Sequence, residues 1–98
     1  MNVLITGYSG FLGREVVNLL NLNQYNLIFV GRKKIKRKNF IFCNINNLKK
    51  FTSILNNLKI DVIINLAAEV NFHKKTKNMY KVNASCPHII ARYCKKRN

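Results

Sequence analysis

Apolar residues gather in four short runs, at residues 3–6 (VLIT), 27–30 (LIFV), 40–43 (FIFC) and 62–66 (VIINL). The runs are near-continuous rather than alternating, the pattern of strands covered on both faces of a parallel sheet. Between them apolar positions recur at helical spacing. Phe11, Leu12, Val16, Leu19 and Leu20 follow the first run. Leu48, Phe51, Leu55 and Leu58 follow the third, with Asn47 placed to cap the helix N-terminus. A last helix is expected over residues 77–97, bent or interrupted by Pro87. Residues 32–38 (RKKIKRK) read as a solvated connection, and no segment repeats another.

Strand, helix, strand, connection, strand, helix, strand, helix is the order of an α/β doubly wound parallel sheet of the Rossmann type. Right-handed crossovers predict the strand order 3-2-1-4, with the first turn where the order reverses, the place at which such folds bind ligands. One domain over residues 1–98, incomplete at its C-terminus, is the expected organisation.

The first turn carries Gly7, Tyr8, Ser9, Gly10, Phe11, Leu12 and Gly13, three glycines spaced by three between a strand and a helix. Apart from Gly31 the chain has no other glycine. A helix N-terminus offers unpaired N–H groups and a positive dipole end to a phosphate, and only a bare backbone lets the phosphate touch it. A dinucleotide site explains this spacing; glycines punctuating an ordinary turn are the alternative. The motif is one residue longer than Gly-x-Gly-x-x-Gly. Arg32 follows Gly13 by 19 residues with no acid near it. An NAD site places a carboxylate there and an NADP site an arginine, so NADP is expected and NAD is not excluded. Alternatively, Arg32 is one cation of a basic loop.

Charge adds a rival reading. Eighteen Lys+Arg face three acids, Glu15, Asp61 and Glu69, for a net charge of +15. Such an excess suits nucleic acid, yet no basic surface interleaved with aromatics accompanies it. Asn, Lys and Ile supply 40 of the 98 residues, as A/T-rich codons would, which accounts for much of the lysine. No apolar stretch approaches the ~20 residues of a membrane helix. Cys43, Cys86 and Cys94 form no Cys-x-x-Cys pair and, with His88, no standard zinc spacing. They read as ordinary buried thiols of a cytoplasmic protein.

Thr6-Gly7-x-x-Gly10-x-x-Gly13 together with residues 61–68 (DVIINLAA) resembles the extended short-chain dehydrogenase/reductase family, NAD-dependent epimerase/dehydratase-like. Val82-Asn83-Ala84, with Pro87 and Ala91, is most similar to the dTDP-4-dehydrorhamnose reductase branch. The corresponding stretch of that branch reads Val-Asn-x-x-Gly-Pro. The likeness spans the whole chain and the N-terminal part of such enzymes. It implies hydride transfer from NADPH to a keto-sugar nucleotide, as in dTDP-rhamnose biosynthesis, in a full-length relative.

It also implies roles for single residues. Asn44 and Ile45 match the family's Asp-Ile or Asp-Leu pair at the adenine, Asn44 replacing the acid. Leu66, Ala67 and Ala68 end the fourth strand beside the cofactor ribose, although tight packing alone would also favour the alanines. Asn83 matches an asparagine of the following helix, where a cap or a surface residue is an equal reading. Cys86 replaces a glycine. The family's Tyr-x-x-x-Lys is absent, since Tyr8, Tyr25, Tyr80 and Tyr93 precede Leu12, Phe29, Ala84 and Arg97 by four. His73 and His88 read as solvated or capping residues rather than substitutes. The expectation is therefore an NADP-binding portion without its catalytic residues, or a regulatory module that holds NADP. Without a fifth strand, the edge of the fourth invites self-association.

Overall fold

Neighbouring residues of the first strand serve two different cores. In the computed structural model, which describes residues 1–21, 25–36, 39–68 and 77–97, strand β1 (Asn2–Thr6) is buried from Val3 onward. Val3 and Ile5 join Leu27, Phe29, Tyr8 and Val17 on one face. Leu4 joins Ile28, Val30, Phe51, Leu55, Cys86 and Tyr93 on the other. The period of two is the pleat, and a sheet covered twice needs apolar side chains at every step.

The remaining elements are α1 (Phe11–Asn21), β2 (Asn26–Gly31), β3 (Phe40–Phe42), α2 (Leu48–Asn57), β4 (Val62–Asn65), α3 (Lys77–Tyr80), a π-helical turn (Lys81–Ser85) and α4 (Cys86–Arg97). The strands are parallel in the order β3-β2-β1-β4. Val3 pairs with Leu27 on one side and Val62 on the other. Helix α1 supplies Val17 to one face, while α2 and α4 cover the opposite one. This is the Rossmann-type doubly wound sheet, with the expected strand order.

At the end of the sheet where the strands begin, side-chain amides run from strand to strand. Asn39 Nδ2 donates to Asn26 Oδ1 at 2.8 Å, and Asn26 Nδ2 to Asn2 Oδ1 at 2.7 Å. Asn2 Nδ2 donates to the Lys59 carbonyl at 2.8 Å, and the Asn2 N–H to Asp61 Oδ2 at 2.7 Å.

Asn47 caps α2 as its sequence suggests, its Oδ1 accepting from the Lys50 N–H at 3.2 Å. The last helix runs from Lys77 through Arg97 without a break, and its interruption takes a specific form. One wide turn precedes Pro87, closed by the Cys86 N–H donating to the Lys81 carbonyl. Proline has no N–H and its ring crowds the carbonyl four residues back, so a wider turn relieves both problems.

The expected apolar face of α1 needs correction. Phe11, Leu12 and Leu19 are exposed, while Gly13 and Val17 are buried and Val16 and Leu20 half-buried. Gly13 packs directly on the preceding loop, and that contact sets the rotation of the helix. Cys94 likewise is exposed, not buried like Cys43 and Cys86. Among the described residues no helix is long and apolar enough to cross a membrane.

Candidate functional site

All four strands release the chain at the same end of the sheet, and there it encloses a cleft of about 690 Å³. Small-molecule and cofactor sites fall in this size range, and open α/β sheets bind ligands at this end. Gly7, Tyr8, Ser9 and Gly10 come from the loop after β1. Arg32 follows β2, Asn44 and Ile45 follow β3, and Leu66, Ala67 and Ala68 follow β4. These ten candidates thus converge from four separate stretches of sequence.

The other four stand differently. Phe11 and Leu12 are 93% and 61% exposed, and their side chains do not line the cleft. Gly13 is buried behind the loop, and Asn83 is exposed on the π turn while its neighbour Val82 faces the cleft. His73 and Glu69 lie outside the described residues, as do Arg37 and Lys38 of the basic connection.

Three glycines with one spacing answer three different demands. Gly7 has φ of 70°, and a Cβ on it would stand 2.5 Å from the Ala67 nitrogen, against the strand exit opposite. A Cβ on Gly13 would strike the Gly7 carbonyl oxygen and stand 2.8 Å from the Tyr8 Cα. Both positions are closed to side chains by the chain itself. Gly10 is not: a Cβ there would meet only the Gly7 oxygen, at an ordinary 3.5 Å. Nothing within the described chain requires glycine at that position.

Gly10 is the N-cap of α1, its carbonyl accepting from the Arg14 N–H at 3.0 Å. Its own N–H turns back to the Gly7 carbonyl at 3.3 Å. Among the described residues, the N–H groups of Phe11, Leu12 and Gly13 have no acceptor. The first turn therefore presents a bare α-carbon, three free donors and the positive end of a helix dipole to the same place. That is the chemistry of an anion cradle.

Thr6 ties the floor together. Its buried Oγ1 donates to Asn65 Oδ1 at 2.5 Å and accepts from the Ala67 N–H at 3.3 Å, while its carbonyl accepts from the Leu66 N–H at 3.2 Å. The Ala67 wall is thereby held against the glycine loop. Across the cleft, Asn44 closes the turn into α2. Its carbonyl accepts from the Asn47 N–H at 2.8 Å and its Oδ1 from the Asn46 N–H at 3.3 Å. An amide oxygen has two lone pairs, so Oδ1 retains one for an external donor.

Sequence reasoning missed Val30, Gly31, Lys33, Cys43, Asn46 and Val82 as lining residues. Val30 and Cys43 belong to the core and expose nothing measurable elsewhere; only strand order could have placed them beneath a ligand. Gly31 carried a signal, as the single glycine outside the loop. Burial raises the Cys43 thiol, against a lowering by Lys50, and pushes Cys86 up to about 11, with Cys43 adding to the rise. Both remain protonated thiols at neutral pH. Cys86 packs in the core directly after the widened turn. Among the described residues, no three His, Cys, Asp or Glu side chains gather as a metal site needs.

The model of the NAD dependent epimerase/dehydratase family matches residues 3–98. The chain belongs to this family. Among solved structures it is similar to a hypothetical dTDP-4-dehydrorhamnose reductase from Sulfolobus tokodaii, at 28% identity and TM-score 0.81. The match covers 97% of this chain and 35% of that one. A monomeric L-threonine 3-dehydrogenase from a metagenome, in its apo form, matches at 26% identity and TM-score 0.78 over 96% of this chain and 32% of that one. UDP-glucose 4-epimerase from Thermotoga maritima, solved with UDP-glucose, shares the fold at 24% identity and TM-score 0.77, over 98% of this chain and 34% of that one. No curated protein matches. The chain spans about a third of the length of these structures. Within the NAD dependent epimerase/dehydratase family, then, this chain corresponds to the sheet that carries the glycine loop.

Proposed function

We propose that the chain is the NADP-binding portion of a sugar-nucleotide oxidoreductase similar to the dTDP-4-dehydrorhamnose reductases. One observation carries the choice of cofactor. Arg32 lines the cleft at the exit of β2 beside Lys33, and among the described residues no Asp or Glu lines it. A ribose hydroxyl would find no carboxylate to accept its hydrogen bond, whereas a 2′-phosphate would find a guanidinium able to grip it twice.

The remaining residues fit the rest of a dinucleotide. The free N–H groups of Phe11, Leu12 and Gly13 would hold the pyrophosphate, with Gly10 admitting it and Ser9 beside it. Asn44 and Ile45 would meet the adenine, and Leu66, Ala67 and Ala68 the ribose on the far side. Phe11 and Leu12 act through their backbone, so the exposure of their side chains costs the site nothing. Asn83 stands next to Val82 at the cleft's margin. Bound NADPH supplies hydride, and the chain orients it.

The parent chain is expected to bind NADPH more tightly than NADH by roughly 10–150-fold, the worth of a charged hydrogen bond at about 1.5–3 kcal/mol. Calorimetric titration with both cofactors measures this, and Arg32→Asp should reverse the order. Equal affinities in the parent chain would remove Arg32 from the site.

A second reading, a non-catalytic module that holds NADP, starts from the same 98 residues, in which no tyrosine has lysine four positions later. A proton donor must stand within hydrogen-bond reach of the substrate. The purified chain is accordingly expected to leave NADPH unoxidised, followed by its absorbance, when keto-sugar nucleotides are added. Sustained oxidation that requires such a substrate, in protein freed of host enzymes, would exclude the module.

A further inference from the structure

Tyr8 behaves unlike the residues on either side of it in the glycine loop. Its side chain is only 5% exposed. The ring stands edge-on to Phe29 and Phe40, with centroids 5.6 and 6.2 Å away. Its hydroxyl donates to the Lys33 carbonyl at 2.6 Å, linking the loop after β1 to the loop after β2.

Gly31 makes room for that link. A Cβ on Gly31 would stand 2.9 Å from both Cε1 and the hydroxyl oxygen of Tyr8. Gly7 is the one glycine with positive φ, so backbone conformation does not demand glycine at position 31; the tyrosine ring does. The two residues are complementary in shape across 23 positions of sequence.

Arg32 lies between two anchors. On one side the Gly31 carbonyl accepts from the Cys43 N–H at 3.0 Å, the last bond of the β2–β3 ladder. On the other, the Lys33 carbonyl is held by Tyr8. Among the described residues no other hydrogen bond to the main chain of residues 32–34 is present, so the tyrosine governs how the segment leaves the strand. Burial raises the phenol above its ordinary pKa, which keeps it a donor at neutral pH.

We infer that Tyr8 is a positioning residue for cofactor selection: by gripping Lys33 it holds Arg32 at the cleft, and so sets the preference for a phosphorylated ribose over a free one. This rests on the assignment of Arg32 to the 2′-phosphate. A tyrosine inside the glycine loop thereby couples the pyrophosphate end of the site to the segment that chooses between cofactors.

Tyr8→Phe removes the hydroxyl and keeps the ring against Phe29 and Phe40. Calorimetric titrations of the 98-residue chain with NADPH and NADH, for the parent, Tyr8→Phe, Arg32→Ala and the double variant, form the test. Tyr8→Phe should weaken NADPH roughly fivefold, as loss of one neutral hydrogen bond would, and NADH less than about twofold. In the Arg32→Ala background the same change should move NADPH by less than about twofold, because the hydroxyl acts through Arg32. Gly31→Ala, which crowds the hydroxyl from the other side, should give the same selective loss and serves if Tyr8→Phe folds poorly. Equal weakening of both cofactors, or an effect that persists without Arg32, would overturn the inference while leaving the cofactor assignment standing. A parent chain without preference for NADPH would overturn both.

Discussion

Alanine at Gly7 or Gly13 is expected to destabilise the chain strongly, and alanine at Gly10 to leave it nearly as stable but much weaker in binding a dinucleotide. At Gly7 the new methyl would sit against the backbone of Leu66 and Ala67 in a left-handed conformation, and at Gly13 against the backbone of Gly7 and Tyr8. Backbone cannot rotate away as a side chain can. Conformational strain and overpacking together cost about 3–5 kcal/mol, against a total stability of about 5–15 kcal/mol for a domain. A loss of roughly 12 °C or more in melting temperature follows for a chain of this size. Gly10→Ala meets nothing closer than 3.5 Å and has no positive φ. Its melting temperature should change little, since alanine narrows the unfolded ensemble but fits an N-cap less well than glycine. On the proposed reading its methyl nevertheless occupies the place where the pyrophosphate would touch the backbone, and affinity for NADPH should fall at least about a hundredfold. Thermal melts and titrations on the three variants separate these effects. A Gly10→Ala chain that binds normally would remove the anion cradle from the site.

The sheet edge should produce the second large effect. Strand β4 closes the order β3-β2-β1-β4, and among the described residues no strand pairs with its outer side. Val62 is 40% exposed there, with Ile63 and Ile64 half-buried behind it. An apolar edge without lysine or proline recruits other chains. The net charge of +15 opposes this, but only over the Debye length, which shrinks from about 30 Å at 0.01 M salt to about 3 Å at 1 M. The chain is therefore expected to be monomeric in dilute buffer and to associate as salt rises. Light scattering over that series reads the mass. Val62→Lys, at the exposed position, should suppress the association with little harm to the core. A parent chain still monomeric at 1 M salt would mean that the edge is covered.

The sequence made the strands legible because each run had to be apolar on both faces, which marks its length as well as its presence. Asn47 was equally plain, since an N-cap is a local bargain between one side chain and the next turn. The phase of α1 was not legible. Counting Phe11, Leu12 and Leu19 as core follows hydrophobicity, whereas the helix is rotated by the contact of Gly13 with Gly7, and a glycine carries no hydrophobic signal. Tyr8 was read from its place in the motif as a residue near the cofactor; that its ring is core and its hydroxyl serves Lys33 depends on Phe29, Phe40 and Gly31, which only the fold brings near. The interruption of the last helix was foreseeable from Pro87. Its form, one wide turn closed from Cys86 to Lys81, was not.

The amides of Asn39, Asn26 and Asn2 cross β3, β2 and β1 at the end of the sheet opposite the cleft. They are neutral and take up no proton between mild acid and mild alkali. A mild change of pH therefore does not reach the bonds that tie those strands side by side. From β3 to β1 the far end of the sheet is tied by neutral groups, and a carboxylate takes part only toward β4, where Asp61 Oδ2 accepts from the Asn2 N–H.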